Sequence, residues 1–287
     1  MFDPGSSADR QSRLVSCPTR YRIRRYTDRS AAPMSLTSAQ IDEFYDQGFI
    51  ILPQVFDARD IAAMAAACER LKALAQDLDG TVLHQGANFA VDQVEVDGKQ
   101  VARIRRISWC GGAEPVMLEY GSDPRLLSIA ADLLDSAEMN QLINQLHFKE
   151  PDDSVQFPLH QDSHHRGYGT PRWEDVNGRG SFVQTATMID PMTSQNGPLL
   201  FIPGSNRKGH LGLPTSQDEW PEGIDLSSAV TVTGDPGDVA VFGPYTLHGS
   251  RPNTSTVSRR VFINGYAFPG ANRHPYVGDG AGRLLHV

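Results

Sequence analysis

The residues best placed to do chemistry are His160, Asp162 and His248. In His160-Gln161-Asp162 the imidazole and the carboxylate stand two positions apart, and on an extended chain such residues project to one face. Such a pair can share a metal, and an H-x-D tripeptide equally arises by chance. His248 comes 86 positions after Asp162, in Gly243-Pro-Tyr-Thr-Leu-His248-Gly-Ser250, where an apolar strand ends in a turn. Two neutral imidazoles and one carboxylate leave open coordination positions. That facial set suits non-haem Fe(II), which must bind a co-substrate and O2 together, whereas zinc prefers a closed tetrahedral set. Arg259 follows His248 by 11 residues. A guanidinium inside a barrel needs an anion; a bidentate carboxylate fits it, with Ser250 adding a hydroxyl, and a protein carboxylate at the rim is the other partner open to it.

Elements must hold these groups in place. Thr37 or Ser38 can cap a helix carrying Ile41, Phe44 and Tyr45 on one face and ended by Gly48. Gly48 to Pro53 reads as a buried strand. Ala58 to Ala75 reads as a long helix with Ile61, Met64, Leu71 and Leu74 at burial spacing, and Pro124 to Leu134 as another helix. Beyond it the chain alternates short strands with Gly, Pro, Asn and Asp turns: 142–148, 156–161, 182–189, 199–202, 229–232, 238–242, 246–249 and 260–267. That many strands at that spacing predicts a sandwich or barrel.

Composition narrows the field. The chain has 287 residues, 39% hydrophobic and 21% charged, ample for a core and ordinary for a globular protein. A formal net charge of −8 argues against nucleic acid as a partner. Apolar runs fall far short of the roughly 20 residues a bilayer crossing needs, so no membrane span is expected, and the reading is cytoplasmic. Cys17, Cys68 and Cys110 are too few and too scattered for a disulfide framework. Residues 1–33, rich in arginine and without apolar periodicity, read as a disordered basic tail, with Met34 an internal start position; residues 34–287 read as one domain.

Several segments, in order, carry a family resemblance: Leu36-Thr-x-x-Gln-Ile-x-x-Phe-Tyr-x-x-Gly48, His160-Gln-Asp162, Asn196-Gly-Pro-Leu-Leu-Phe-Ile-Pro-Gly-Ser-Asn206, Gly237-Asp-Val-Ala-Val-Phe242, and His248-Gly-Ser250 with Asn253, Ser255 and Arg259. With them the sequence resembles the phytanoyl-CoA dioxygenase-like, ectoine hydroxylase-like branch of the Fe(II)/2-oxoglutarate oxygenases. The resemblance implies a mainly β fold, a double-stranded β-helix (jelly roll, cupin-like) flanked by N-terminal helices. It implies Fe(II) on His160, Asp162 and His248, with 2-oxoglutarate and O2 as co-substrates. It also implies Arg259 and Ser250 on the far carboxylate of 2-oxoglutarate and His147 facing that molecule, with release of succinate and CO2. Related halogenases carry a small residue where this chain keeps Asp162, so halogenation is disfavoured. Asn206 replaces a histidine common after Pro-Gly-Ser, a change expected to affect a loop.

The substrate half of the site is read from polarity. Gln145, His147 and Lys149 alternate on one strand and should share its inward face. With Arg166, Gln184 and Thr187, and with Asn272 and Arg273 from the C-terminal run, they suggest a small polar or charged substrate, such as an aminoalkylphosphonate or an amino-acid-like compound. His164 and His165 are expected on a loop, and Tyr168 and Trp173 near a lid. Desaturation, epimerisation or cyclisation of a natural-product intermediate are alternatives to hydroxylation. Outside the class stand a non-oxidative cupin-type metal enzyme and a metal-free β-barrel binding protein. The helical N-terminal region offers a face for a homodimer.

Overall fold

A computed structural model describes residues 33–96, 98–151, 155–213, 220–276 and 282–287. The expected tail, apart from Pro33, and Cys17 lie outside the described residues. The first helix, α1 (Ser38–Gln47), begins in a capping box: the Gln40 amide donates to the Thr37 hydroxyl and the Thr37 amide to the Gln40 side chain. It ends at Gly48, whose φ of +89° costs a glycine nothing. Strand β1 (Phe49–Leu52) follows, then α2 (Ala58–Ala75), capped by Asp57. Next come β2 (Val82–His84), β3 (Ala87–Val96) and β4 (Lys99–Ser108), then α3 (Pro115–Tyr120) and α4 (Pro124–Leu134). The remainder is β5 (Glu138–Lys149), β6 (Phe157–His160), α5 (Asp162–Arg166), β7 (Phe182–Met188), β8 (Leu199–Phe201), β9 (Val230–Thr231), β10 (Val239–Phe242), β11 (His248–Ser250), β12 (Arg259–Ala267) and β13 (Arg283–His286).

Two antiparallel sheets form the jelly roll. The larger runs β1-β10-β7-β12-β5-β4-β3-β2, with β13 also on β5; the smaller runs β6-β11-β8-β9. Period-two alternation divides the core between the two faces of the larger sheet. One face packs Val183, Val239, Val241 and Phe262 against Met64 and Leu71 of α2 and Ile129 and Leu133 of α4. The other turns Ala186, Ala240, Phe242 and Val261 toward Phe201 of the smaller sheet. The structure is thus mainly β with flanking N-terminal helices, as the sequence implies. Among the described residues, no helix is long and apolar enough to cross a membrane.

Two departures matter for the site. The β2–β3–β4 meander, which alternation alone does not flag, extends the larger sheet beside β5. Thr187 is buried but does not reach the cavity with Gln184, because three positions along a strand reverses the face; Ala186 lines the cavity instead.

Candidate active site

A cavity of about 500 Å³ opens between the sheets, within the size range of small-molecule sites. His160 closes β6 and faces His248 on β11 in antiparallel register, with ring centroids 4.3 Å apart. The approach depends on Gly249: a Cβ there would stand 2.7 Å from the Phe157 carbonyl oxygen and 3.2 Å from the Leu159 nitrogen. Asp162 is the first residue of α5 rather than part of the strand. Alternation still aims it inward because Gln161 is extended, with φ −107° and ψ 136°. The Gln161 side chain goes the other way, donating to the carbonyls of Gly209 and Tyr245 and accepting from the Leu211 amide.

Backbone carbonyls fix both imidazoles. Nδ1 of His160 lies 2.7 Å from the Pro158 carbonyl and Nδ1 of His248 lies 2.9 Å from that of Thr246. A carbonyl only accepts, so each Nδ1 carries the proton and each Nε2 keeps a lone pair for a metal. One ligand atom from each of His160, Asp162 and His248 falls within 4.8 Å of the others. Asp162 Oδ2 is buried, has no hydrogen-bond partner among the described residues, and sits 4.0 Å from His248 Nε2. A carboxylate oxygen left bare in the interior is costly unless a cation takes it up. Burial pulls the Asp162 carboxyl upward, but Arg166, His248 and His160 outweigh it and hold it below the usual carboxylate range. Burial, reinforced by His160, pushes His248 down to about 4, so it stays neutral as a ligand must. The donor set therefore fits a divalent metal with open positions.

The remaining wall comes from β4, β5, α5, β7, β8, β10, β11 and β12. Arg259 is 2% exposed, borders the cavity, and donates to the Gly197 carbonyl. Ser250 Oγ, also on the lining, is buried with no hydrogen-bond partner among the described residues. The neighbouring Arg260 faces outward, 2.7 Å from Asp190 and 2.8 Å from Glu69, which separates the two arginines by face. His147 lines the cavity with its Nε2 2.9 Å from the Gln145 amide nitrogen. Burial first, then Arg106 and Arg259, drive its pKa down to about 3. Arg166 and Gln184 complete the polar part of the lining.

Three expected substrate residues are not brought to the cavity. The Lys149 ammonium is drawn to the carbonyls of Val155 and Arg251, where the end of β5 meets loop backbone with unsatisfied acceptors. Arg273 is exposed and paired with Glu174. Asn272 bridges Trp173 through the backbone and donates its side-chain amide to the His274 carbonyl. His164 and His165 stand on α5 rather than a loop, and only His165 borders the cavity. Tyr168 and Trp173 stack on each other at 4.8 Å, away from the lining. Asn206 ties its loop to the Tyr45 carbonyl, a structural contact.

Arg106 is the charged lining residue that sequence reasoning misses. Up to Ile104 the buried positions of β4 alternate, Ala102 then Ile104, which would place residue 106 on the helix-covered face. The pairing shifts there: Ala90 opposes Arg106, but Val91 opposes Ile104, so Arg105 is an extra residue in β4. This bulge reverses the alternation, buries Ile107, and turns Arg106 to the cavity opposite His147.

The sequence profile of the family Phytanoyl-CoA dioxygenase (PhyH) matches residues 44–261. The ectoine dioxygenase of Sphingopyxis alaskensis is 27% identical over 248 residues, covering 79% of this chain and 74% of that protein. A probable alpha-ketoglutarate-dependent hypophosphite dioxygenase of Stutzerimonas stutzeri is 32% identical over 109 residues, covering 34% of this chain and 37% of that protein. The crystal structure of EctD from S. alaskensis with bound Fe superposes with a TM-score of 0.63 at 25% identity, covering 85% of this chain and 80% of that one.

Proposed function

The chain belongs to the phytanoyl-CoA dioxygenase family and is a 2-oxoglutarate-dependent non-haem iron dioxygenase; on that premise we propose that it hydroxylates an unactivated C–H bond of a small polar or charged metabolite. In this reading His160, Asp162 and His248 hold Fe(II). The observation that carries it is the convergence of two Nε2 lone pairs on a buried carboxylate oxygen that no donor among the described residues satisfies.

Arg259 and Ser250 receive the far carboxylate of 2-oxoglutarate. A guanidinium 2% exposed, on the same lining as a buried hydroxyl with no partner among the described residues, offers bidentate donors to an anion. His147, kept neutral between Arg106 and Arg259, presents an uncharged ring along the same molecule and adds no positive charge beside the metal. Gln145 holds that ring in place. Iron bound at this site supplies, with O2 and the 2-oxo acid, the oxidising power for C–H cleavage, leaving succinate and CO2. The protein's part is placement: the cavity wall decides which C–H bond lies against the metal.

A metal-free binding protein gives no role to a bare carboxylate oxygen between two oriented imidazoles, and a cupin-type isomerase gives none to the Arg259–Ser250 pair. The test is incubation with Fe(II), 2-oxoglutarate and O2 across a panel of small amino acids and phosphonates. Succinate release that depends on one compound, together with a gain of one oxygen in its mass, supports the reading. Iron-loaded protein that never converts 2-oxoglutarate refutes it.

A further inference from the structure

The charges on the cavity wall are unequal. Arg106, Arg166 and Arg259 line it against a single carboxylate, Asp162, in a protein whose formal net charge is −8. Arg166 is 8% exposed, and its guanidinium lies 4.9 Å from the Phe182 ring centroid and 5.4 Å from that of Tyr276. Its polar contacts are long: 3.3 Å to Gln184 Oε1, 3.5 Å to the Tyr276 hydroxyl and 3.9 Å to Asp162 Oδ1. Its buried Nε has no hydrogen-bond partner among the described residues. Aromatic faces orient a guanidinium without filling its five donors, and a buried charge held by no short bond awaits an anion.

Its place in the barrel separates it from the co-substrate end. Gln184, which Arg166 touches, lies in register with Gly265 on β12, six residues along the strand from Arg259. The two guanidiniums therefore mark opposite ends of the cavity. The inference rests on the oxygenase reading above. A divalent metal and Arg259 together balance Asp162 and the two carboxylates of 2-oxoglutarate. Arg166 and Arg106 are then left uncompensated, and Arg106 has no ion-pair partner among the described residues. We propose that Arg166, with Gln184 and Tyr276, forms the subsite for an anionic head group of the prime substrate, so that the enzyme acts on small carboxylates or phosphonates rather than on neutral or cationic compounds. Arg106, exposed on the lining, adds attraction for the incoming anion.

Anaerobic calorimetry on the Fe(II)–2-oxoglutarate enzyme tests this with propionate and ethylphosphonate against propionamide and propylamine. The wild type is expected to bind one of the anions at least about tenfold more tightly than either other probe. Arg166→Gln is expected to lose that preference while iron and 2-oxoglutarate binding stay intact, and Arg166→Lys to keep part of it. Arg106→Gln is expected to weaken anion binding about threefold or less. An Arg166→Gln enzyme with wild-type anion preference, or a wild type indifferent to charge, overturns the proposal. If the wild type forms no complex with 2-oxoglutarate, the oxygenase reading has failed instead; the same anion titrations on metal-free wild type and Arg166→Gln still decide the subsite.

Discussion

Strand β12 begins with two arginines that share a backbone and little else. Arg259 turns inward to a cavity whose one lining carboxylate among the described residues is Asp162, and it donates to the Gly197 carbonyl. Arg260 turns outward, where Asp190 takes it with two short contacts and Glu69 adds a third. The outer guanidinium is a structural pin between β12, Asp190 two residues past β7, and Glu69 of α2. The inner one borders the cavity, where the proposed function gives it the far carboxylate of 2-oxoglutarate. One step along a strand thus separates stability from chemistry, and the same division recurs at Gln161 and Asp162, where one side chain anchors loops and the next faces the metal site.

The comparison can be broken most severely at the metal end. Asp162→Ala is expected to lose iron, read by metal content after dialysis. Turnover should fall by more than the roughly 10–100-fold that loss of a group behind a ligand costs. Next, Arg259→Ala is expected to weaken 2-oxoglutarate by about 2–5 kcal/mol, a rise of at least roughly 30-fold in Kd, with iron retained. Arg260→Ala should leave that Kd unchanged and cost about 1–3 kcal/mol of folding stability by denaturant titration. An Arg260→Ala enzyme with weakened co-substrate binding would erase the distinction between the faces. Gly249→Ala tests the spacing of the two histidines: its Cβ would meet the Phe157 carbonyl at 2.7 Å, so a loss of about 1–3 kcal/mol and weaker iron binding are expected.

The last prediction concerns pH dependence. Folding holds His147 at about 3 and His248 at about 4, both below the imidazole value of 6.5. As pH falls through about 6.5 the unfolded chain takes up protons that the folded chain refuses. The metal-free protein therefore loses stability from there down to about pH 4 for His248 and about pH 3 for His147, by at most about 1.4 kcal/mol per pH unit for each histidine. Thermal melts at pH 7.5 and pH 5 read this, and His147→Gln should flatten the difference.

Much of this was legible in the chain itself. The helices at 38–47, 58–75 and 124–134 follow from caps and apolar spacing, and β7, β10 and β12 from β-rich runs between turns. The three candidate ligand residues stood out as an H-x-D pair and a later His beside apolar runs, and the ordered motifs gave them a common context. What stayed hidden depends on irregularity or on destination. The bulge at Arg105 reverses a face and brings Arg106 inward, which no fixed period reports. Lys149 has the right alternation but the wrong destination, since loop carbonyls at the end of β5 claim its ammonium. Asn272 and Arg273 belong to a segment whose path no periodicity governs, and Arg273 ends in a surface ion pair.

The most direct test is an anaerobic titration of the protein with Fe(II) and then 2-oxoglutarate, watching for the weak visible charge-transfer band of a metal-chelated 2-oxo acid. The expected result is a band in the wild type that saturates with 2-oxoglutarate, is absent in Asp162→Ala, and needs far more co-substrate in Arg259→Ala. Iron binding without any band, or a band that survives in Asp162→Ala, would contradict the assignment of this cavity as the oxygenase site.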